Sequence, residues 1–227
     1  MRRNDSNDWF VFIIMVIVIL SLFLLAGEST AYGEALSEET DIYEPVITEA
    51  KKDWSADFLW EEISKFSPND EITAGIMGYF YKESFFRSDA VTGWIYFNTY
   101  RRDPGDICIE ITELVDAGLD DDSSREFFTV ELRNKYGGYG LGQWCTTEYL
   151  TRFYDFVQEK EGSISDARLQ CEFVVKDMMA IDNIWNKLME AKTAEECGRI
   201  IGVWYDGSKI PEVVAMYADR FYKEYHK

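Results

Sequence analysis

Residues 76–84 read Ile-Met-Gly-Tyr-Phe-Tyr-Lys-Glu-Ser, an apolar and aromatic stretch that ends in a carboxylate. From Ile72 onward the apolar side chains recur at helical spacing, so the stretch is predicted to close an α-helix. Burial among aromatic rings and the negative end of the helix dipole both disfavour a charged Glu83, whereas Lys82 would favour the charge if it folded back. Spacing alone also fits a solvated glutamate at a fraying helix end. A carboxyl that stays protonated is, however, what a general acid requires.

A second motif, at residues 137–145, reads Gly-Gly-Tyr-Gly-Leu-Gly-Gln-Trp-Cys and places four glycines in six positions. Glycine at this density indicates unusual backbone angles or close approach of the backbone to its neighbours. Gln143 and Trp144 would then be held rigidly, one as a polar partner for sugar hydroxyls and the other as a stacking face. A phosphate-binding loop is not indicated, because no Lys-Ser/Thr pair follows at the required spacing.

The chain has a single histidine, His226, next to its end. Zinc hydrolases normally use histidine ligands, and Ser or Cys nucleophiles usually need a histidine base. A hydrolase with this composition must therefore depend on carboxylates, which is typical of glycosidases and not of amidases or peptidases.

The formal net charge is −19, with 47% apolar and 16% aromatic residues. The apolar fraction is ample for a packed core. A chain this acidic repels nucleic acid, so DNA and RNA are excluded as partners.

The N-terminal region predicts export. Residues 9–27 form an uncharged apolar run preceded by Arg2 and Arg3, long enough to span a bilayer with the remainder of the chain outside. Small residues at Ser29-Thr30-Ala31 leave a cleaved signal as the alternative. Residues 1–31 are therefore predicted to be a membrane anchor or signal sequence. Residues 32–53 are predicted to be an acidic linker, and residues 54–227 a single domain.

The region from Trp54 onward is mainly helical by its apolar pattern. Asp70 can cap the helix that ends at Glu83-Ser84, and Gly75 and Gly78 permit close packing along it. Further helices are predicted over Trp54–Phe66 and Thr147–Lys160, from near Ser165, from the capping box Thr193-Ala-Glu-Glu196, and from Pro211.

Residues 92–136 have a different pattern. Residues 108–112 (Cys-Ile-Glu-Ile-Thr) and 127–132 (Phe-Phe-Thr-Val-Glu-Leu) flank an acidic stretch at 120–124. Alternation on both sides of a turn predicts a small β-hairpin. The fold class is therefore predicted to be α+β, mainly α, with a hairpin insertion and no second domain.

Four cysteines, Cys108, Cys145, Cys171 and Cys197, lie on the side predicted to be exported, where disulfides persist. At least one disulfide is predicted, although the sequence does not choose among the possible pairings. A bridge through Cys145 is favoured because it would fix the glycine-rich motif. No Cys-x-x-Cys pair is present, so neither a metal site nor a cofactor is predicted.

The pair Glu83-Ser84 on a helix, followed downstream by Gly-Tyr-Gly-Leu-Gly-Gln-Trp at 138–144, resembles the phage tail lysozyme family of the lysozyme-like superfamily. More distantly it is similar to lytic transglycosylases and goose-type lysozymes. The resemblance covers roughly residues 70–222 and continues through Val115-Asp-Ala-Gly118, Arg152, Phe153, Phe156, residues 163–170, Phe173 and Trp204-Tyr205.

By this resemblance Glu83 is the catalytic acid/base, and Ser84, Tyr139, Gln143 and Trp144 bind substrate. Cys145 departs from the family, whose members usually have Thr after the Trp.

The resemblance also bears on a second catalytic carboxylate. Asp116 is the first candidate because it falls on the family's Val-Asp-x-Gly segment, and Asp103 and Asp106 are the alternates. The alternative for each is a solvated loop acid.

The resemblance implies a muramidase that cuts β-1,4 bonds between N-acetylmuramic acid and N-acetylglucosamine in peptidoglycan. One alternative is a lytic transglycosylase, which uses the same acid and forms 1,6-anhydro products. The other is a catalytically silent glycan-binding module of a surface-assembly machine. Peptidoglycan, and the membrane through residues 9–27, are the expected partners.

Overall fold

The computed structural model describes residues 55–91, 104–118 and 122–226. All of them belong to the unit formed by residues 49–227. The predicted membrane-spanning run 9–27, the linker 32–53 and Asp103 lie outside the described residues, as does the side chain of Asp106. No helix in the described ranges is long and apolar enough to cross a membrane.

Helices make up most of the described chain. They are α1 (Ala56–Ser64), α2 (Asp70–Ser84), α3 (Pro104–Ala117), α4 (Asp122–Glu126), α5 (Leu132–Tyr136), α6 (Thr147–Glu159), α7 (Ala167–Met179), α8 (Asp182–Glu190), α9 (Ala194–Ile200) and α10 (Pro211–Tyr225), with two π-helical turns, π1 (Phe127–Glu131) and π2 (Ile201–Tyr205).

Local capping signals place several of these helices where the sequence predicts them. The Thr193 hydroxyl accepts a hydrogen bond from the Glu196 N–H at 3.2 Å, and α10 begins at Pro211. The cap of α2 differs from the prediction, because Asn69 and not Asp70 accepts the Ile72 N–H, at 2.9 Å. The helix begins one residue earlier than an Asp70 cap would allow.

The central helix is α2, whose residues 72–80 are all buried. A Cβ atom on Gly75 would lie 2.9 Å from Cβ of Cys197 in α9, and one on Gly78 would lie 2.6 Å from the Val214 carbonyl in α10. Neither position has room for a side chain, so the close packing predicted for the two glycines is confirmed. This packing fixes the direction in which α2 carries Glu83.

The predicted β-hairpin is wrong, because residues 108–112 lie in α3 and residues 122–136 are continuously helical through α4, π1 and α5. In α3 the buried residues are spaced three and four apart, at Cys108, Ile111 and Val115, while Ile109 is 50% exposed. The alternation spans only five residues, and the helical period extends over a longer stretch. Among the described residues, β-structure is limited to two isolated bridges, which link Tyr139 to Val91 and to Trp144.

All four cysteines are free thiols, so the predicted disulfide through Cys145 is not formed. Cys108, Cys171 and Cys197 are buried on α3, α7 and α9, whereas Cys145 is exposed. The three buried thiols pack as small apolar side chains in the core. The prediction of export indicated that a disulfide would persist, but it did not indicate which cysteines the fold brings together.

Candidate active site

Glu83 lies in the last turn of α2, and the chain turns sharply directly after it. Phe85 and Phe86 both adopt left-handed backbone, with φ of 51° and 67°. Non-glycine residues in this region cost about 1–3 kcal/mol each and persist where packing holds them. Phe86 is buried, and its ring packs against Tyr81 and Phe221 with centroids 5.2 and 5.3 Å apart. Aromatic packing therefore fixes the helix end that presents the glutamate.

Glu83 belongs to a group of three charged side chains that we name the acid–lysine cluster: Lys82, Glu83 and Asp206. The Lys82 ammonium contacts Oε1 of Glu83 and donates a hydrogen bond to Oδ2 of Asp206 at 2.8 Å. The contact with Glu83 lacks hydrogen-bond geometry, so this buried Oε1 has no hydrogen-bond donor among the described residues. The side chains of Glu83 and Asp206 are only 17% and 12% exposed. The cluster is thus shielded but reachable from solvent.

Burial raises the pKa of Glu83 above its ordinary value. The contact with Lys82 lowers the pKa of Glu83. Asp206 raises this pKa in two ways, through its negative charge and through the hydrogen bond that it can accept from protonated Glu83. The net shift is upward, which is the direction predicted from the sequence, and Lys82 has the opposing effect anticipated for it. Burial lowers the pKa of Lys82, but its ion pairs with the two carboxylates outweigh burial and raise it. Lys82 is therefore a stable counter-charge.

Tyr79 connects the turn that carries Glu83 to the glycine-rich loop, which we define as residues 137–145. Its buried hydroxyl donates to the Gly142 carbonyl at 2.5 Å. A Cβ atom on Gly142 would lie 2.6 Å from this hydroxyl, so glycine is required there. The loop and the helix end consequently hold a fixed relation to each other.

The glycine-rich loop is a tight turn closed by two backbone hydrogen bonds between Tyr139 and Trp144, at 3.2 and 3.1 Å. Gly137 and Gly140 have φ of 87° and 78°, which confirms the predicted unusual backbone angles. The Gly140 N–H donates to the Ala90 carbonyl at 2.8 Å, which joins the loop to the segment that follows α2.

Gln170 of α7 holds the glycine-rich loop in place through side-chain hydrogen bonds. This role was not predicted from the sequence. The Gln170 side chain is fully buried, with Oε1 accepting the Leu141 N–H at 2.7 Å. Its Nε2 donates to the carbonyls of Ser88 and Ile164 at 2.6 and 2.7 Å. The available signal was its place three and four residues before Phe173 and Val174, on the apolar stripe of α7.

Two residues predicted to shape a cleft lie in the core. Tyr139 is 0% and Trp144 is 2% exposed. The Trp144 ring packs against Phe153 and Phe173, with centroids 4.9 and 5.2 Å apart. Both side chains are therefore part of the core, and substrate binding by them stays a prediction. Rings from α6 and α7 surround the indole, and local sequence could not reveal them.

Ser84 and Gln143 also make internal hydrogen bonds. The buried Ser84 hydroxyl donates to the Phe80 carbonyl at 3.0 Å. The half-buried Gln143 has φ of 45°, and its Nε2 donates to the carbonyls of Ala90 and Gly140 at 2.9 and 3.0 Å. Both side chains therefore stabilise the frame around Glu83, and substrate binding by them stays a prediction.

Asp116 lies on α3 and holds the turn at Ser163 and Ile164 through hydrogen bonds. One carboxylate oxygen accepts from the Ser163 hydroxyl at 2.5 Å, and the other accepts from the Ile164 N–H at 3.0 Å. Ile164 in turn accepts from Gln170, so Asp116 and Gln170 hold the same turn. This gives Asp116 a structural role, and its catalytic role stays a prediction.

A buried polar network, also missed from the sequence, holds the backbone next to Asp206. The Tyr205 hydroxyl donates to Asp177 at 2.9 Å and accepts from the Trp144 indole at 3.3 Å. Arg152 donates to the other oxygen of Asp177 at 2.7 Å. Burial raises the pKa of Tyr205, so the ring stays neutral. Asp206 therefore directly follows Tyr205, whose side chain is fixed by these hydrogen bonds.

Exposed aromatic surface lies close in sequence to the cluster. Phe85 is 38% exposed and Trp204 is 50% exposed. Trp204 borders an open cleft of about 380 Å³, and the Lys187 ammonium lies 4.9 Å from its ring centroid. No group of three His, Cys, Asp or Glu side chains that could hold a metal ion occurs in the described part of the chain.

Residues 54–225 match the family model described as phage tail lysozyme. The matched span includes Glu83, the glycine-rich loop and Asp206. Neither the search of curated proteins nor that of solved structures found a match.

Proposed function

Because the chain belongs to the phage tail lysozyme family, we propose that it is a muramidase that cuts the β-1,4 bond between N-acetylmuramic acid and N-acetylglucosamine, with Glu83 as the general acid. The observation that carries this proposal is the Glu83 carboxyl at the end of a buried helix, 17% exposed and with its pKa raised. A carboxyl whose pKa is raised and that is still reachable from solvent is the kind of group that donates the proton in cleavage of a glycosidic bond.

The proposed reaction begins with transfer of the Glu83 proton to the glycosidic oxygen as the bond to the sugar carbon breaks. Positive charge develops on the sugar ring, and Glu83 becomes a carboxylate. Lys82 already contacts Oε1 of Glu83, so it stabilises that carboxylate without moving. Water then attacks the sugar carbon and its proton passes to a carboxylate, which completes hydrolysis.

A lytic transglycosylase is the second candidate, and one observation favours it. Hydrogen bonds already engage both oxygens of Asp116, the first candidate for a second catalytic carboxylate. A transglycosylase needs no second carboxylate, because a hydroxyl of the substrate itself attacks the sugar carbon. We prefer hydrolysis because the family that the chain matches is described as a lysozyme family.

Sugar contact is proposed for exposed rings, since Trp144 is buried. Phe85 follows Glu83 by two residues, and Trp204 precedes Asp206 by two, so both rings are close in sequence to the acid–lysine cluster. Flat apolar faces in such positions can pack on the C–H face of a sugar ring. The open cleft beside Trp204 leaves room for it.

We propose that the domain acts outside the cytoplasm, where peptidoglycan lies. Residues 9–27 are long enough to span a bilayer and would anchor the domain there, or would be removed as a signal. Local delivery of this kind suits an acidic enzyme, whose charge does not attract it to an anionic wall.

The test is release of dye-labelled fragments from purified peptidoglycan by the full chain and by two variants. Glu83→Gln should reduce the rate by about 10²–10⁴, the usual contribution of acid–base catalysis. Glu161→Gln, an exposed glutamate on the turn after α6, is the matched control and should keep the wild-type rate. Equal rates for the wild type and Glu83→Gln would reject the proposal. Tight binding of the wild type without release would identify a silent glycan-binding module.

A further inference from the structure

We propose that Asp206 is a positioning residue for Glu83: it accepts a hydrogen bond from the protonated glutamate and, balanced by Lys82, retains the proton on Glu83 until substrate arrives. The proposal rests on the function proposed above, because it assumes that Glu83 is the acid. Asp206 is far from Glu83 in sequence, and no motif discussed above includes it as a functional residue.

Lys82 joins the two carboxyl groups of the cluster. Lys82 Nζ lies against Oε1 of Glu83 and 2.8 Å from Oδ2 of Asp206, so one ammonium bridges the two carboxyl groups. All three side chains are less than 20% exposed, at 19%, 17% and 12% for Lys82, Glu83 and Asp206. Charges this shielded interact strongly, and their balance determines which group holds a proton.

Hydrogen bonds on both sides hold the backbone that carries Asp206. Its N–H donates to the Ile201 carbonyl at 2.9 Å, the bond that closes the π-helical turn π2. The following bond, from Ser208 N–H to the Gly202 carbonyl at 2.8 Å, continues past Gly207, whose φ is 66°. Single π-helical turns inside helices occur frequently at functional sites. Here the turn directs Tyr205 into the core and leaves Asp206 beside Lys82.

Lys82 and Asp206 are the charged side chains that shift the pKa of Glu83 most strongly. Tyr79 and Tyr205 also lie near the cluster, and Tyr149 packs against Tyr205. Burial raises the pKa of all three phenols, so they stay neutral over the working pH range. With Glu83 protonated, the cluster has zero net charge. After proton transfer Lys82 faces two carboxylates.

Asp206 and Lys82 must therefore have opposite effects on Glu83. The negative Asp206 disfavours loss of the proton, and the positive Lys82 favours it. Removing the charge of Asp206 should lower the pH at which Glu83 deprotonates, whereas removing the charge of Lys82 should raise it. Because an active acid must be protonated, the alkaline limit of activity should follow the same two directions.

The experiment titrates the Glu83 side-chain carboxyl by ¹³C NMR in the full chain in detergent micelles, and measures peptidoglycan hydrolysis against pH in parallel. We expect the Glu83 midpoint to move down by about one pH unit in Asp206→Asn and up by about one unit in Lys82→Met. Asp219→Asn removes a partly exposed carboxylate paired with Lys223 and is the matched control, with no shift. Asp206→Glu keeps the negative charge, so its Glu83 midpoint should lie close to the wild-type value. If Asp206→Asn acted only through folding, the conservative variant would not be expected to recover the midpoint.

Shifts of the same sign in Asp206→Asn and Lys82→Met, or no shift in either, would overturn the proposal. If Asp206→Asn does not fold, Asp206→Ser removes the same charge in a smaller polar side chain, and a midpoint that does not fall in this variant would overturn the proposal. A wild type that titrates as expected but releases no fragments would reject the proposed function and leave the arrangement around Glu83 intact. The two failures are therefore distinguishable.

Discussion

Replacing Gln170 by Leu tests whether this residue holds the glycine-rich loop. The substitution keeps the approximate size of the side chain but removes three hydrogen bonds, to Leu141 N–H and to the carbonyls of Ser88 and Ile164. Each buried backbone group left without a partner costs about 1–3 kcal/mol. The free energy of unfolding should therefore fall by at least about 3 kcal/mol in Gln170→Leu.

Urea unfolding followed by tryptophan fluorescence measures this loss. With a slope of about 2 kcal/mol per molar urea, a loss of 3 kcal/mol lowers the midpoint by about 1.5 M. Gln158→Leu, on the exposed face of α6, is the control and should change stability by less than about 0.5 kcal/mol.

The same variant should lose hydrolytic activity while still folded, because Gly140 and Leu141 would no longer be fixed against α7. A loss of stability below about 1 kcal/mol would refute the reasoning, since the backbone groups would then have other partners. Full activity in a destabilised Gln170→Leu would show that the loop position does not matter for catalysis.

Two further predictions concern the substrate and Asp116. Trp204→Ala should raise KM for soluble glycan fragments about tenfold with little change in kcat, which corresponds to a loss of about 1.4 kcal/mol of binding free energy. An unchanged KM would remove Trp204 from the proposed sugar contacts. Asp116→Asn should lower the free energy of unfolding by about 1–3 kcal/mol, because Ser163 and Ile164 lose a charged acceptor, and should leave kcat nearly unchanged. A fall in kcat of about 10² or more at full stability would instead establish Asp116 as the second catalytic carboxylate.

Local signals predicted the parts of the fold that depend on neighbours in sequence. The capping box at Thr193 and the proline at 211 place their helices correctly, because caps act within one turn. The apolar run before Glu83 likewise predicted a buried helix and a raised pKa, since burial is a property of the whole stretch.

The sequence could not predict contacts between distant residues. Asp206 meets Lys82, and Gln170 meets Leu141, only because the packing of several helices brings them together. For the same reason Trp144 was assigned a surface role, although rings from other helices enclose it. The hairpin prediction failed for a different reason, because five alternating residues cannot outweigh a helical period that extends beyond them.

The central claim is that Glu83 donates the proton that breaks the glycosidic bond of peptidoglycan. The most direct measurement is mass spectrometry of the muropeptides released by the full chain and by Glu83→Gln at equal concentration. We expect wild-type products that end in reducing N-acetylmuramic acid, one water heavier than the anhydro form, and about 10²–10⁴ times less product from the variant. Anhydro products would show that the enzyme is a transglycosylase and not a hydrolase. Equal amounts of product from the wild type and Glu83→Gln would contradict the central claim.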